Sequence, residues 1–143
     1  MPVSLFNTSE PLAAIDAEIR AKVTSILDKG VYVLGPEVKA FEQEFAAYVG
    51  ASEAVGVANG TDALVLALRA LGVGPGDEVI VPSFTFYASA EAIPHTGARP
   101  VFCDVDPETF CITAETVKAV LSPRTKAVIA VHLFGNEIGR AHV

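Results

Sequence analysis

No apolar run in the sequence approaches the ~20 residues that a membrane-spanning helix requires. Residues Met1 to Glu10 also lack the basic start and apolar centre of a secretory signal. A cytoplasmic protein with no membrane partner is therefore the expectation. Basic residues are scarce as well. Ten Lys and Arg against seventeen Asp and Glu give a net charge of −7, without a cationic cluster that could follow a phosphate backbone, so nucleic acid is not expected as a partner. Only two cysteines occur, Cys103 and Cys111, on either side of the turn signal Asp106-Pro107. A reducing compartment keeps both as thiols, and too few soft ligands lie nearby for zinc. We read both as small core fillers and expect no metal centre. Asp104 and Asp106 could be imagined as metal ligands, but Asp-Val-Asp-Pro reads first as a turn after a strand.

What the chain does have is apolar content sufficient for a domain core: 51% of 143 residues, with a mean hydropathy of +0.44. Ser9 and Pro11 open a helical pattern in which Ile15, Ile19, Val23 and Ile26 share a face, ended by Gly30. Pro36 starts a second helix with the stripe Val38, Phe41, Phe45 and Val49, and Gly50 stops it. From Ala54 the period changes. Short apolar runs at Ala54–Ala58, Glu78–Pro82, Pro100–Asp104 and Ala127–His132 alternate with helical patterns, which predicts βαβ units, a parallel sheet and an α/β fold. The helix over Asp62–Leu71 is apolar almost all round, which predicts deep burial, with Thr61 as its cap and Gly72 at its end. No repeat, low-complexity tract or linker interrupts the chain.

Two junctions could carry chemistry. Asn59-Gly60-Thr61 joins a predicted strand to a helix, where free N–H groups and the positive end of the helix dipole converge on an anion. Glycine lets the backbone come close, and the Thr61 hydroxyl adds a donor. The same residues equally suit a plain turn and cap. Pro82-Ser83-Phe84-Thr85-Phe86-Tyr87 occupies a second strand-to-helix junction, at the sheet edge where open α/β folds bind ligands. A ring there could stack on a flat ligand, although Phe84, Phe86 and Tyr87 also suit a core or an interface. His132 ends a predicted buried strand and is read as a structural histidine; His95 follows Pro94 in a turn and is expected to be exposed. The Gly72–Gly76 cluster precedes a strand, which is the wrong side for a dinucleotide fingerprint.

Together with GPGDEVIVPSFTF and TGARPVFCDVD, these residues resemble the DegT/StrS group of sugar aminotransferases. These are pyridoxal 5'-phosphate (PLP) enzymes of the aspartate aminotransferase fold, fold type I. The likeness includes GVYVLGPEVKAFEQEFAAYVG near the start and Thr125-Lys126-Ala127 through VHLFGN near the end, hence nearly all of residues 1–136. It implies that the N–H groups of Gly60 and Thr61 hold the PLP phosphate and that the Phe86 ring stacks on the pyridine. It also implies a homodimer with the Gly30–Pro36 connector near a partner's site, a nucleotide-linked keto sugar as acceptor, and glutamate as the usual amino donor. The alternatives on these residues are a PLP-dependent sugar dehydratase of the same fold and a non-catalytic α/β module for a phosphorylated small molecule.

PLP chemistry needs a lysine for the covalent link and an acid for the pyridine nitrogen. Lys22, Lys29, Lys39 and Lys118 fall on helical segments, and Lys126 begins a strand at the edge away from Gly60. None suits the role. The resemblance puts both groups after the strand Ala127–Leu133 and beyond Val143, so the expectation is an incomplete large domain with N-terminal helices, without catalysis or ready solubility of its own. Residues 1–52 read as a helical segment, 53–136 as the first part of the PLP-binding domain, and 137–143 as a non-native tail. Glu137–Val143 continues nothing in the family, and its codons can be written as a sequencing-library adapter.

Overall fold

The computed structural model describes residues 8–137, so the expectation of a non-native tail falls outside them from residue 138 onward. The chain divides after Gly56 into two compact units. The first holds helices α1 (Ser9–Ala13), α2 (Asp16–Lys29) and α3 (Pro36–Val49). The single helix expected from Ser9 onward is broken, because the Ile15 N–H turns back to the Leu12 carbonyl at 3.0 Å and the Ile15 carbonyl starts a new ladder by accepting from Ile19. Gly30 and Gly50 end α2 and α3 in the left-handed conformation that the sequence predicts for them, at φ 67° and 70°. The Gly56 N–H donates to the Glu42 carboxylate at 2.7 Å, which draws the chain after α3 back along that helix. Phe41 and Phe45 stack one turn apart with centroids 5.6 Å apart. The predicted stripes are present, yet Ile15, Ile19, Val23, Phe41 and Phe45 are all exposed.

The second unit contains helix α4 (Gly60–Ala70), strand β1 (Glu78–Pro82), helix α5 (Tyr87–Glu91), strand β2 (Arg99–Cys103), helix α6 (Ala114–Val120) and strand β3 (Thr125–Val128). The strands form a parallel sheet in the order β2-β1-β3, as the alternating pattern predicts. Side chains alternate across a strand, and both faces of β1 are covered. Val79 and Val81 pack with Leu68, Val73, Ile93 and Ala98 on one face; Ile80 packs with Cys103 and Ile112 on the other. Val79, Ile80 and Val81 are wholly inaccessible. Cys103 and Cys111 are buried free thiols, in keeping with their reading as core fillers, and burial pushes the Cys103 thiol up.

Three expectations need correction. Ala54–Ala58 forms no strand: among the described residues it has no ladder partner, and Val55 and Val57 are exposed. The fourth predicted strand, Ala127–His132, begins earlier and ends earlier, at Thr125–Val128. A register shift leaves Lys126 without a partner residue on β1, and the last backbone bond to β1 runs from Ile129 N–H to the Ile80 carbonyl, so His132 lies exposed beyond the strand. Helix α4 is not deeply buried. Leu68 packs into the core, while Leu66 and Leu71 are exposed, because three strands offer α4 only one covered side.

The amino edge of the sheet is held by a buried charge. Glu78 opens β1 with its side chain 3% exposed, accepting from the Ser122 hydroxyl at 2.6 Å, from Arg124 at 2.7 and 2.9 Å, and from Arg99. Hydrogen bonds from Ser122, then Arg99 and Arg124, lower the Glu78 pKa from 4.5 to about 2. A carboxyl depressed in this way stabilises the fold above its unfolded value, and that contribution disappears as pH falls through the folded value. Denaturant titrations between pH 7 and pH 2 should show stability falling from about pH 4.5 to about pH 2. Glu78→Gln should be less stable at pH 7 and should lose the Glu78 share of that fall, which the difference between the two proteins reads directly.

Candidate functional site

Helix α4 begins where an extended residue meets a glycine. Asn59 is its N-cap, at φ −163° and ψ 173°; its Oδ1 accepts from the Asp62 N–H and its Nδ2 donates to the Asp62 carboxylate, both at 2.9 Å. The cap is thus Asn59, two residues ahead of Thr61, the residue expected to serve. Thr61 lies inside the first turn, where its hydroxyl cannot reach forward to the donors that an N-cap satisfies. The Ala63 N–H bonds to the Asn59 carbonyl. Of the first N–H groups of α4, those of Gly60 and Thr61 meet no acceptor among the described residues. A Cβ built on Gly60 would meet nothing within 4 Å, and Gly60 itself is exposed.

At the other end α4 closes on Leu71, with Gly72 left-handed at φ 74° and the Val73 N–H returning to the Leu68 carbonyl at 3.0 Å. Leu68 and Val73 thereby enter the core together. That anchoring fixes the axis of α4 and hence where its dipole and free N–H groups point.

Phe86 is the N-cap of α5, just after β1, and its carbonyl accepts from the Ser89 N–H at 3.1 Å. Phe86 is 77% exposed, and Phe84 and Tyr87 are exposed as well, so none of the three is a core residue here. Helices α4 and α5 pack against each other, which puts the Gly60–Thr61 donors and the Phe86 ring at the starts of two neighbouring helices. The anion and stacking functions read from the sequence therefore fall on adjoining elements of one unit.

Two further features lie outside what the sequence pattern revealed. One is the Glu78 cluster at the amino edge, whose partners are distant in sequence. The other is a run of aromatic contacts past the carboxyl ends of the strands, in which Phe84 meets Phe110 at 5.7 Å and Phe110 meets Phe134 at 5.9 Å. Asp106 takes the turn reading: its Oδ1 accepts from the Glu108 N–H, the Thr109 N–H and the Thr109 hydroxyl. Those bonds, led by the Thr109 N–H, hold its carboxyl below the usual carboxylate range. His95 is exposed in the turn Pro94–Thr96, and its carbonyl accepts from Arg69.

A family model described as the DegT/DnrJ/EryC1/StrS aminotransferase family matches residues 13–139. The chain is 48% identical over 136 residues to a UDP-N-acetyl-3-dehydro-alpha-D-glucosamine 3-aminotransferase of Acidithiobacillus ferrooxidans, covering 90% of this chain and 37% of that protein. Among solved structures, DesV of S. venezuelae in complex with a ketimine intermediate superposes with a TM-score of 0.89 at 45% identity, over 95% of this chain and 37% of DesV. NtdA from Bacillus subtilis with bound cofactor PMP gives 0.79 at 35% identity, over 83% and 27%. The chain thus spans about 37% of the length of the first two relatives, and its fold is the matching part of an aminotransferase α/β fold.

The assignment of the cap can be measured. Asn59→Ala should cost about 1 kcal/mol of stability, the usual loss for an N-cap, while Thr61→Ala should leave stability nearly unchanged in the same urea titration.

Proposed function

From the membership of this chain in the DegT/DnrJ/EryC1/StrS aminotransferase family, we propose that the whole protein transfers an amino group, with glutamate as donor, to a nucleotide-linked keto sugar through pyridoxal 5'-phosphate. The observation that carries the cofactor reading is the start of α4, where two adjacent N–H groups have no protein acceptor among the described residues and Gly60 is exposed. That arrangement fits a phosphate: the donors are prepaid by the helix, and the helix dipole adds attraction for negative charge. Phe86 fits the flat ring that such a phosphate carries, because its exposed face is free for stacking.

In this reading the Gly60 and Thr61 N–H groups bind the phosphate, the Thr61 hydroxyl adds a third donor, and Phe86 sets the tilt of the ring. When bound, the cofactor supplies a carbonyl that accepts the amino group and a ring that absorbs the electron pair released at the donor carbon. The work of this chain is orientation. A ring clamped at its phosphate and across one face presents its reactive carbon in a fixed direction, which is what holds the reacting atoms within attacking distance.

The surroundings of the reaction belong to the same proposal. The protein acts as a cytoplasmic homodimer, with the Gly30–Pro36 connector beside a partner's site. The exposure of Val31, Tyr32, Val33 and Leu34 in that connector supports a surface meant to be covered. Residues 1–52 serve as the helical segment, and residues 53–136 as the first part of the cofactor-binding domain. Relatives named for UDP-linked and dTDP-linked amino sugars support the sugar-nucleotide acceptor.

Binding and chemistry are tested separately. Gly60→Ala should leave stability intact, since its Cβ meets no protein atom within 4 Å. It should nevertheless weaken binding of 4-deoxypyridoxine 5'-phosphate, a non-reactive cofactor analogue, as should Phe86→Ala. Unchanged affinity in both variants counts against the site. For the reaction, the whole protein loaded with PLP should form 2-oxoglutarate from glutamate in proportion to enzyme in a single turnover; no 2-oxoglutarate would rule out glutamate as the donor.

A further inference from the structure

The three parallel strands deliver their carboxyl ends to one edge, and each following loop places a phenylalanine there: Phe84 after β1, Phe110 after β2 and Phe134 after β3. The rings touch in series. Phe84 and Phe110 are tilted at 44° and Phe110 meets Phe134 edge-on at 88°, both within the geometry of favourable aromatic pairs. Phe110 is the middle ring. Without it, neither Phe84 nor Phe134 has another aromatic contact among the described residues.

The backbone gives an independent sign that these contacts matter. Phe110 and Phe134 have φ of 58° and 57°, a left-handed conformation in which bulky side chains are rare. The turn holding Phe110 is closed by bonds of its own. The Asp106 N–H donates to the Cys111 carbonyl at 2.9 Å, the Phe110 N–H donates to the Asp106 carbonyl at 2.8 Å, and the Asp106 carboxylate accepts from Glu108 and Thr109. Glycine or asparagine would satisfy that backbone without strain. Phenylalanine at this position adds only a ring, and the ring goes to Phe84.

Phe84 lies two positions before Phe86 in the loop from β1 to α5. That loop is tied at its start by the Ser83 N–H to the Cys103 carbonyl at 2.8 Å, and at its far end by the Thr85 hydroxyl against the Ser89 hydroxyl at 3.3 Å. Between these ties, Phe84 has the ladder as its lateral support. We infer that Phe110 is a positioning residue: through the Phe84–Phe110–Phe134 ladder it holds the loop that carries Phe86, and so sets how tightly the flat ring of a phosphorylated ligand is gripped. The role in gripping rests on the cofactor reading proposed above; the role in holding the loop does not.

The test is amide hydrogen exchange on the full chain, with Phe110→Leu, Phe110→Gly and Phe110→Tyr, alongside affinity for 4-deoxypyridoxine 5'-phosphate. Phe110→Leu should speed exchange at Ser83 to Phe86 about tenfold, the change expected when one local tie is lost, while Ile80 and Val81 keep their rates. Phe110→Gly, which suits the left-handed backbone but lacks the ring, should loosen the loop equally. Phe110→Tyr should preserve both the loop and the affinity. The inference is overturned if Leu and Gly leave the loop at the wild-type rate, or if Ile80 and Val81 loosen by the same factor, which marks a general loss of stability. It is also overturned if the loop loosens but affinity holds where Phe86→Ala lowers it. If Phe86→Ala itself leaves affinity unchanged, Phe86 does not grip the ligand and the gripping role is overturned, and the exchange rates alone decide whether the ladder holds the loop.

Discussion

Everything in the second unit depends on the carboxylate of Glu78. It opens the central strand in a nearly inaccessible position, where an unpaired charge would be prohibitive, and three side chains from two other segments converge on it. Arg99 begins β2 and Arg124 immediately precedes β3, so one carboxylate ties together the amino ends of all three strands. Backbone bonds reinforce the tie, from the Glu78 N–H to the Arg124 carbonyl and from the Arg99 N–H to the Asp77 carbonyl. Parallel strands have no hairpin to fix their register. Here the register is set by charge at one edge and by the wholly buried Val79, Ile80 and Val81 just beyond it.

That clamp leaves the opposite edge free for function. Strands aligned at their amino ends release their loops together at their carboxyl ends, the usual ligand edge of an open α/β sheet. The structural charge and the candidate chemistry therefore sit at opposite ends of the same strands. Gly97 shows how tightly the loops at the amino edge are packed: at φ 86°, an added Cβ would lie 2.9 Å from Pro75. Around Gly60 the space is open.

How much of this was legible beforehand depended on the range of the interactions. The helix stops at Gly30 and Gly50, the parallel sheet, and the strand Glu78–Pro82 follow from local signals, namely glycine's tolerance of positive φ and the period of apolar residues. The candidate anion seat at Gly60–Thr61 and the candidate stacking ring at Phe86 could be proposed from the sequence because each lies within a few residues of a helix start. In two of the failures a distant partner, present or absent, decided the outcome. Ala54–Ala58 has the composition of a strand but no neighbour to pair with among the described residues, and α4 has the composition of a buried helix but only one covered side. Thr61 lost the cap to Asn59 because capping depends on which residue is still extended when the helix begins, and composition leaves that open between neighbours.

By itself the sequence determined the α/β class, the family likeness, and which residues stand near two helix starts, because periodicity, glycine placement and short motifs are written in consecutive residues. The tertiary structure decided which charges meet at Glu78, which phenylalanines touch, and which apolar faces are covered. Those outcomes join residues far apart in the chain, such as Glu78 with Arg124 and Phe84 with Phe134 through Phe110. Such contacts arise only when a folded sheet brings three strand ends to a common edge, and no local pattern encodes which distant partner will arrive.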